Sequence, residues 1–400
     1  MSKLVLAYAL VMLIQPINAE EFLRVMPELT TNYQPDTSGT EGGIWLIMKD
    51  AEEALKNSPS RINDPELDAY LHDLICKLTP EYCPEIRIYV IRRPHFNATM
   101  APNGMMQIWT GLLLRAKNEA QLSAVLGHEI GHYLRRHSIK RFDDAKFKTS
   151  LFSFLTVGIA GAVATGHMNL NAGRSVLDIS QFSMYASIFA YGRAHESEAD
   201  KYGIQLLADA GMKTEEAAKL WESLTAEFDA ANYKKPKPSL FFSTHPAPKD
   251  RIRKLNAYSR ILSSRLDKEE SLGLKAFQER ISVHMKTMLS DEINLRQFGQ
   301  TQYLFQSLLA DGISPGLVNY FLGELHRIRK EEGDFALAKQ YYEEAKKYED
   351  HDPELYRSLG IMYLKEKNYT LAHAQFSDYL AQLPEATDRE MIEYYMTMGR

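Results

Sequence analysis

His128, Glu129 and His132 stand in the stretch AVLGHEIGHYLRRH, residues 124–137, among Ala124, Val125, Leu126 and Ile130. At 3.6 residues per turn the two histidines share one helix face and can aim both imidazoles at a single ion. Glu129 lies about 100° round the helix, beside that ion, where a general base for a water belongs. Burying such groups unpaired is costly, so either these residues satisfy one another or something else, such as a cation, is bound there. A catalytic zinc takes three protein ligands and leaves one position open, which requires a third donor on another rigid element. RAHESEAD, residues 193–200, supplies Glu196, with Asp200 four residues on and on the same face. Glu196 can then coordinate while Asp200 accepts a hydrogen bond from a ligand histidine and fixes its tautomer. Glu198 points elsewhere by helical phase, and His137, just past the first motif, reads as exposed or structural.

These side chains need rigid supports. Asn118 or a neighbour opens the helix that carries His128, and RAHESEADKYGIQLLADAG reads as a second helix ending at Gly211. RINDPELDAYLHDLICKL, residues 61–78, has a helical period opened by Asn63, Asp64 and Pro65. EIRIYVIRR alternates as a strand, and NATMAPNGMMQIWTGLLLRA reads as two short strands about Pro102-Asn103-Gly104. Of these, GMMQIWTG is either an edge strand that pairs with an extended substrate or one that completes the sheet. TNYQPDTSGTEGG reads as loop, and NYKKPKPS, residues 232–239, as a solvated linker.

Glu196 follows His132 by 196 − 132 = 64 residues, a separation that leaves room for an apolar insertion. Residues 149–173 contain no Asp, Glu, Lys or Arg, and the dense apolar part from Leu151 to Ala164 is short of the ~20 residues a span needs. That favours a buried plug or a peripheral membrane contact over a transmembrane helix.

Net charge is −5 over 400 residues, which gives no broad basic field and argues against nucleic acid as partner. MSKLVLAYALVMLIQPINAEE has an early Lys3, an apolar run and a small-residue ending, the pattern of a signal peptide cleaved after Ala19; an uncleaved anchor is the alternative. In an oxidising compartment the two cysteines, Cys76 and Cys83, are spaced for a disulfide, with two free buried thiols as the alternative.

Beyond residue 262 the texture is helical and repetitive. Phe335 matches Tyr369, Ala338 matches Ala372 and Tyr342 matches Phe376, each offset by 34 residues. Gly323 precedes Gly360 by 37, three more than the repeat. These units resemble tetratricopeptide repeats, which stack into protein-binding surfaces, although a plain helical bundle also fits. The domains are then 1–19, signal peptide; 20–262, metallopeptidase; and 263–400, repeats.

GHEIGHYLRRH, YGRAHESEAD and STHPAPKDRI together resemble the zinc endopeptidase family that contains the CAAX prenyl endopeptidase and the heat-shock protease HtpX. With leader, soluble domain and repeat tail, the chain is similar to the periplasmic branch that acts on β-barrel assembly. The resemblance implies that His128, His132 and Glu196 bind one Zn2+, with Glu129 as base, Asp200 as orienter and Arg193 as a helper of undefined duty. Gly192 stands where a serine is common, and His195 sits beside the ligand; neither departure removes a donor. For His245 the resemblance implies a switch that occupies the open zinc position, the alternative being a loop histidine near the site or one that stabilises an oxyanion.

The expected fold is mainly α with a small β-sheet, a zincin-type metallopeptidase domain followed by an α-solenoid. The expected function is an exported zinc endopeptidase that cleaves misfolded or stalled cell-envelope proteins. Its implied partners are protein substrates and the outer-membrane β-barrel assembly machinery with its clients. The competing expectation is a chaperone or scaffold with a latent peptidase site.

Overall fold

A computed structural model describes residues 24–143, 191–231, 245, 248–264 and 270–399. The leader, the apolar 149–173 segment and the 232–239 linker lie outside the described residues. Helices α1 (Thr40–Lys56) and α2 (Pro65–Leu78) lead into strands β1 (Arg87–Ile91), β2 (Ala98–Met100) and β3 (Met105–Trp109). Helices α3 (Thr110–Arg115), α4 (Glu119–Leu134) and α5 (His137–Asp143) follow. After the undescribed stretch come α6 (Arg193–Asp209), α7 (Glu215–Asp229) and α8 (Pro248–Ser263).

Local chemistry sets the helix starts. Asp64 caps α2 by accepting from the backbone N–H groups of Glu66 (3.0 Å) and Leu67 (3.2 Å), with Pro65 in the first turn, where its missing N–H costs nothing. Asn118 caps α4 through the Gln121 N–H at 2.8 Å. Helix α1 begins at Thr40, so the last residues of TNYQPDTSGTEGG are helical rather than loop.

The sheet order is β1-β3-β2, with β3 parallel to β1 and antiparallel to β2. The edge-strand reading of GMMQIWTG is therefore overturned: β3 is central, buried along its whole length, and both its edges are taken. Residues 110–115, after Trp109, turn into α3 instead of extending the strand. Gly104, at φ +85°, makes the turn between β2 and β3 that a side chain would strain. Strand β2 is the edge that lies against α4.

Helix α4 is buried almost all round, as expected of a helix enclosed by the rest of its domain. It meets α6 through glycines. A Cβ on Gly203 would overlap the His128 backbone, and Gly127 and Gly131 face α6 with similarly little room. The two backbones therefore approach closely enough for short acidic side chains on α6 to reach the imidazoles of α4.

The C-terminal region comprises α9 (Leu274–Asn294), α10 (Phe298–Ala310), α11 (Pro315–Arg329), α12 (Asp334–Ala345), α13 (Glu354–Lys365), α14 (Tyr369–Gln382) and α15 (Arg389–Thr397). Two successive hairpins repeat one contact: Gly323 on α11 receives the Tyr342 ring from α12, and Gly360 on α13 receives the Phe376 ring from α14. Both rings are fully buried. The three extra residues of the earlier unit fall between glycine and ring, since 342 − 323 is 19 and 376 − 360 is 16.

The apolar core runs unbroken past residue 262: Leu74, Leu126, Leu289, Phe305 and Leu359 belong to one cluster. Helix α9 packs on α2, α3 and α4 on one side and on α10 and α11 on the other. A buried ion group ties this junction together, with Arg115 of α3 donating to Glu227 of α7 at 2.6 Å and to Glu292 of α9 at 3.1 Å. Among the described residues no helix is long and apolar enough to cross a membrane. Cys76 and Cys83 sit side by side with Cα atoms 4.8 Å apart, inside the range a disulfide spans.

Candidate metal centre

His128 and His132 project from consecutive turns of α4, and Glu196 comes from the first turn of α6. Their inner atoms converge. His132 Nε2 is 3.0 Å from His128 Nε2, and Glu196 lies 3.3 Å from the first ring and 3.6 Å from the second. His245 joins them, with Nδ1 3.2 Å from His128 Nε2 and 3.0 Å from Glu196 Oε1. All four residues are at most 3% exposed.

The hydrogen bonds outside the cluster decide which atoms face in. His128 Nδ1 is 2.9 Å from Asp200 Oδ1, a carboxylate that can only accept, so Nδ1 carries the proton and Nε2 presents a lone pair. Burial holds both α4 imidazoles below their ordinary pKa, hence neutral. Burial alone would raise Glu196, but the charge and hydrogen bonds of His245 and His132, with Arg251 nearby, hold it well below the usual carboxylate range. Lone pairs and a carboxylate packed this closely repel one another unless a cation lies between them.

Size agrees with chemistry. A tetrahedron with metal–ligand arms of about 2.05 Å has edges of about 3.3 Å, and the separations among these four groups scatter around that value. Among the described residues His128, His132, Glu196 and His245 form a group able to hold a metal ion. Nitrogen and oxygen donors without sulfur suit a borderline divalent metal.

Glu129 stands beside the cluster, buried, with Oε1 3.6 Å from His245 Nε2. Among the described residues that oxygen has no hydrogen-bond partner, a costly state unless a bound molecule supplies a donor. Burial pushes its carboxyl up to about 7, the range a general base needs near neutral pH. The edge strand β2 adjoins it, with the Met100 backbone hydrogen-bonded to Glu129.

Some predicted members sit elsewhere. Arg193 is exposed at the start of α6 and outside the cluster. His195 is half-buried and stacks on His137 rather than facing the donors. Glu198 does point away from the donors, and it pairs with Arg135 at 2.7 Å. Of the two readings of His137, exposed or structural, the first is overturned: it is fully buried, and its Nδ1 is 2.9 Å from His132 Nδ1. The contact forms because α4 ends at Leu134 and Arg136 takes a left-handed φ of 54°, which folds the chain back onto His132.

Two further residues went unnoticed. Arg251 of α8 donates to both oxygens of Asp200, at 2.8 and 2.5 Å, while its guanidinium lies 3.8 Å over the Trp221 ring. It occurs in STHPAPKDRI, so the motif contained it, but spacing from a histidine six residues earlier does not say where its side chain points. Tyr191 stacks on the His132 ring at 3.7 Å, fixing its plane, and shares a hydrogen bond with Ser138.

Residues 61–259 match the model of peptidase family M48. A putative beta-barrel assembly-enhancing protease of Vibrio cholerae is 30% identical over 212 residues, 52% of this chain and 42% of that protein. The beta-barrel assembly-enhancing protease of Escherichia coli K12 is 27% identical over 227 residues, 54% of this chain and 45% of that one. The mitochondrial metalloendopeptidase OMA1 of Schizosaccharomyces pombe is 30% identical over 171 residues, 43% and 46% respectively. The matches thus span less than half the length of each of these relatives. Because the whole donor cluster and the carboxylate beside it fall inside the matched span, this chain carries a domain of the metallopeptidase family M48.

Proposed function

We propose that the chain is an exported zinc endopeptidase that hydrolyses peptide bonds in misfolded or stalled envelope proteins, with a tetratricopeptide tail for docking. One observation carries the reading: two neutral imidazoles meet Nε2 to Nε2 at 3.0 Å beside a buried carboxylate, an arrangement that calls for a cation. His128, His132 and Glu196 would hold one Zn2+, which when bound polarises a scissile carbonyl and an attacking water. Glu129 takes the water's proton on Oε1 and returns it to the leaving amine; its raised carboxyl lets it do both. Asp200 keeps His128 in the ligating tautomer, and Arg251 keeps Asp200 ionised. An extended substrate would add to β2, which among the described residues pairs on one side only, next to Glu129.

The domain limits, with cleavage after Ala19 and repeats from 263, belong to the same reading, as does a disulfide between Cys76 and Cys83 in the periplasm. Partners would be the outer-membrane β-barrel assembly machinery and its clients, supported by the names of the bacterial relatives. The place of His245 favours a second state. Its Nδ1 takes the fourth corner of the donor set, so the centre is closed while His245 stays there, and the repeats can act as a scaffold meanwhile. Replacing His245 by Ala should raise cleavage of an unfolded protein if it is a latch; a loss would mark it as an oxyanion partner. The decisive test is metal content and cleavage together. The purified chain should carry one zinc, Glu196→Ala should lose it, and a chain that binds metal without cleaving any unfolded envelope protein would overturn the peptidase reading.

A further inference from the structure

Behind the metal ligands, a second line of polar groups runs outward from His132 to the molecular surface. His132 Nδ1 faces His137 Nδ1 at 2.9 Å, and His137 Nε2 faces Glu198 Oε2 at 2.8 Å. Glu198 in turn accepts from Arg135, whose guanidinium also pairs with Glu28 at 2.7 Å. The backbone N–H groups of Glu28 and Leu29 close the end of α4 by donating to the Leu134 carbonyl.

The protons along this line can be placed from the outer end. The Glu198 carboxylate, held ionised by Arg135, only accepts, so His137 must carry its proton on Nε2. That leaves His137 Nδ1 with a lone pair. At 2.9 Å from it, His132 Nδ1 must then be the donor, and the remaining nitrogen of His132, Nε2, is left unprotonated and aimed at the donor cluster. His137 is locked for this duty by complete burial and by stacking on His195, with ring centroids 4.4 Å apart.

We propose that His137 and Glu198 are positioning residues which set the tautomer of His132 through a carboxylate–histidine–histidine relay. The proposal rests on the reading of His132 as a metal ligand. It gives the two ligand imidazoles of α4 separate outer supports: Asp200 for His128, and the His137–Glu198 pair for His132. The supports differ in kind. Asp200 is buried and direct, whereas the second passes through a ring to a carboxylate that is 28% exposed and tied to the N-terminal segment. Glu198 thus shares the helix of Glu196 while serving the other face of the centre.

The test is zinc affinity of the full chain, read by competition with a chromophoric chelator, with the melting temperature of the metal-stripped protein measured beside it. His137→Leu removes the acceptor and should weaken zinc binding about 10–100-fold. His137→Asn places an oxygen near the position of Nδ1 and should recover much of that loss, although it no longer reaches Glu198. Glu198→Gln should weaken binding less than His137→Leu. A purely structural histidine would lower the melting temperature in both His137 variants and leave affinity alone, so unchanged affinity in His137→Leu, or equal losses in Leu and Asn, overturns the relay. A parent chain that takes up no metal overturns the metal centre and the relay together, which separates the two failures. Should His137→Leu not fold, the His137→Asn and Glu198→Gln affinities decide: both equal to the parent would overturn the relay.

Discussion

In the hairpin of α11 and α12, Glu324 accepts from Tyr342, from Ser358 at 3.0 Å and from Arg327. In the candidate metal centre, Glu129 keeps an oxygen with no hydrogen-bond partner among the described residues. The first carboxylate is surrounded by donors that the chain itself provides, and its pKa is lowered in spite of burial by Arg327, Tyr342 and Ser358. The second is raised, because burial outweighs the cations near it. Asp334 follows the first pattern, accepting from His326 at 2.6 Å and from Arg329. A buried acid whose hydrogen bonds close within the fold serves the fold. One left open beside converging lone pairs marks a place where something else binds.

The largest expected effect would come from breaking the open cluster. Glu129→Gln should cut cleavage of an unfolded protein about 10²–10⁴-fold while the thermal midpoint holds or rises, since a strained charge is removed; a comparable fall in midpoint would place Glu129 with Glu324. Next comes the junction. Arg115→Met leaves Glu227 and Glu292 buried without their cation, and denaturant unfolding should show a loss of about 3–5 kcal/mol. Replacing both acids by Leu as well should restore most of it, whereas a single variant as stable as the parent would show that the junction carries no closed network.

Smaller effects would sharpen the repeat side. Gly323→Ala and Gly360→Ala each push a methyl into a buried ring, Tyr342 or Phe376. Overpacking at about 1–3 kcal/mol should outrun the helix-propensity gain of about 1 kcal/mol. Similar losses in the two variants would mark the contact as a true repeat, and cleavage of a short peptide should not change. The smallest effect concerns acid. Hydrogen bonds from Arg329 hold the Asp334 carboxyl far below its ordinary range. Its stabilisation is fully present above about pH 3.9 and fades as the pH falls through the lowered folded value. Stability curves of the parent and Asp334→Asn should therefore converge toward low pH; a constant gap would exclude this linkage.

The individual elements were readable because their signals are local. Asp64-Pro65 announces α2, Asn118 announces α4, and the 34-residue offset of Tyr342 and Phe376 announces the repeated hairpins. The edge-strand reading and the missed Arg251 depend on neighbours distant in sequence, and His137 on a local reversal of the backbone. Nothing in MMQIW tells whether its edges are free, because pairing with β1 on one side and β2 on the other is a property of the sheet. His137 lies past the end of α4 at Leu134, where Arg136 takes a left-handed φ and the helical period no longer says which way a side chain faces. Arg251 required the packing of α8 against α6, which its own stretch does not show.

What the sequence alone determined is the chemical inventory: imidazoles one helical turn apart, a carboxylate beside them, and an acid pair on a second helix. Spacing along a helix is geometry, so composition and phase suffice for that much. Only the tertiary structure decided that α4 and α6 meet at Gly127, Gly131 and Gly203, that His245 enters the donor set, and that Asp200 and His137 support different imidazoles. Those contacts join residues up to 117 positions apart. They follow from how closely two backbones pack, a distance that no single stretch of chain encodes.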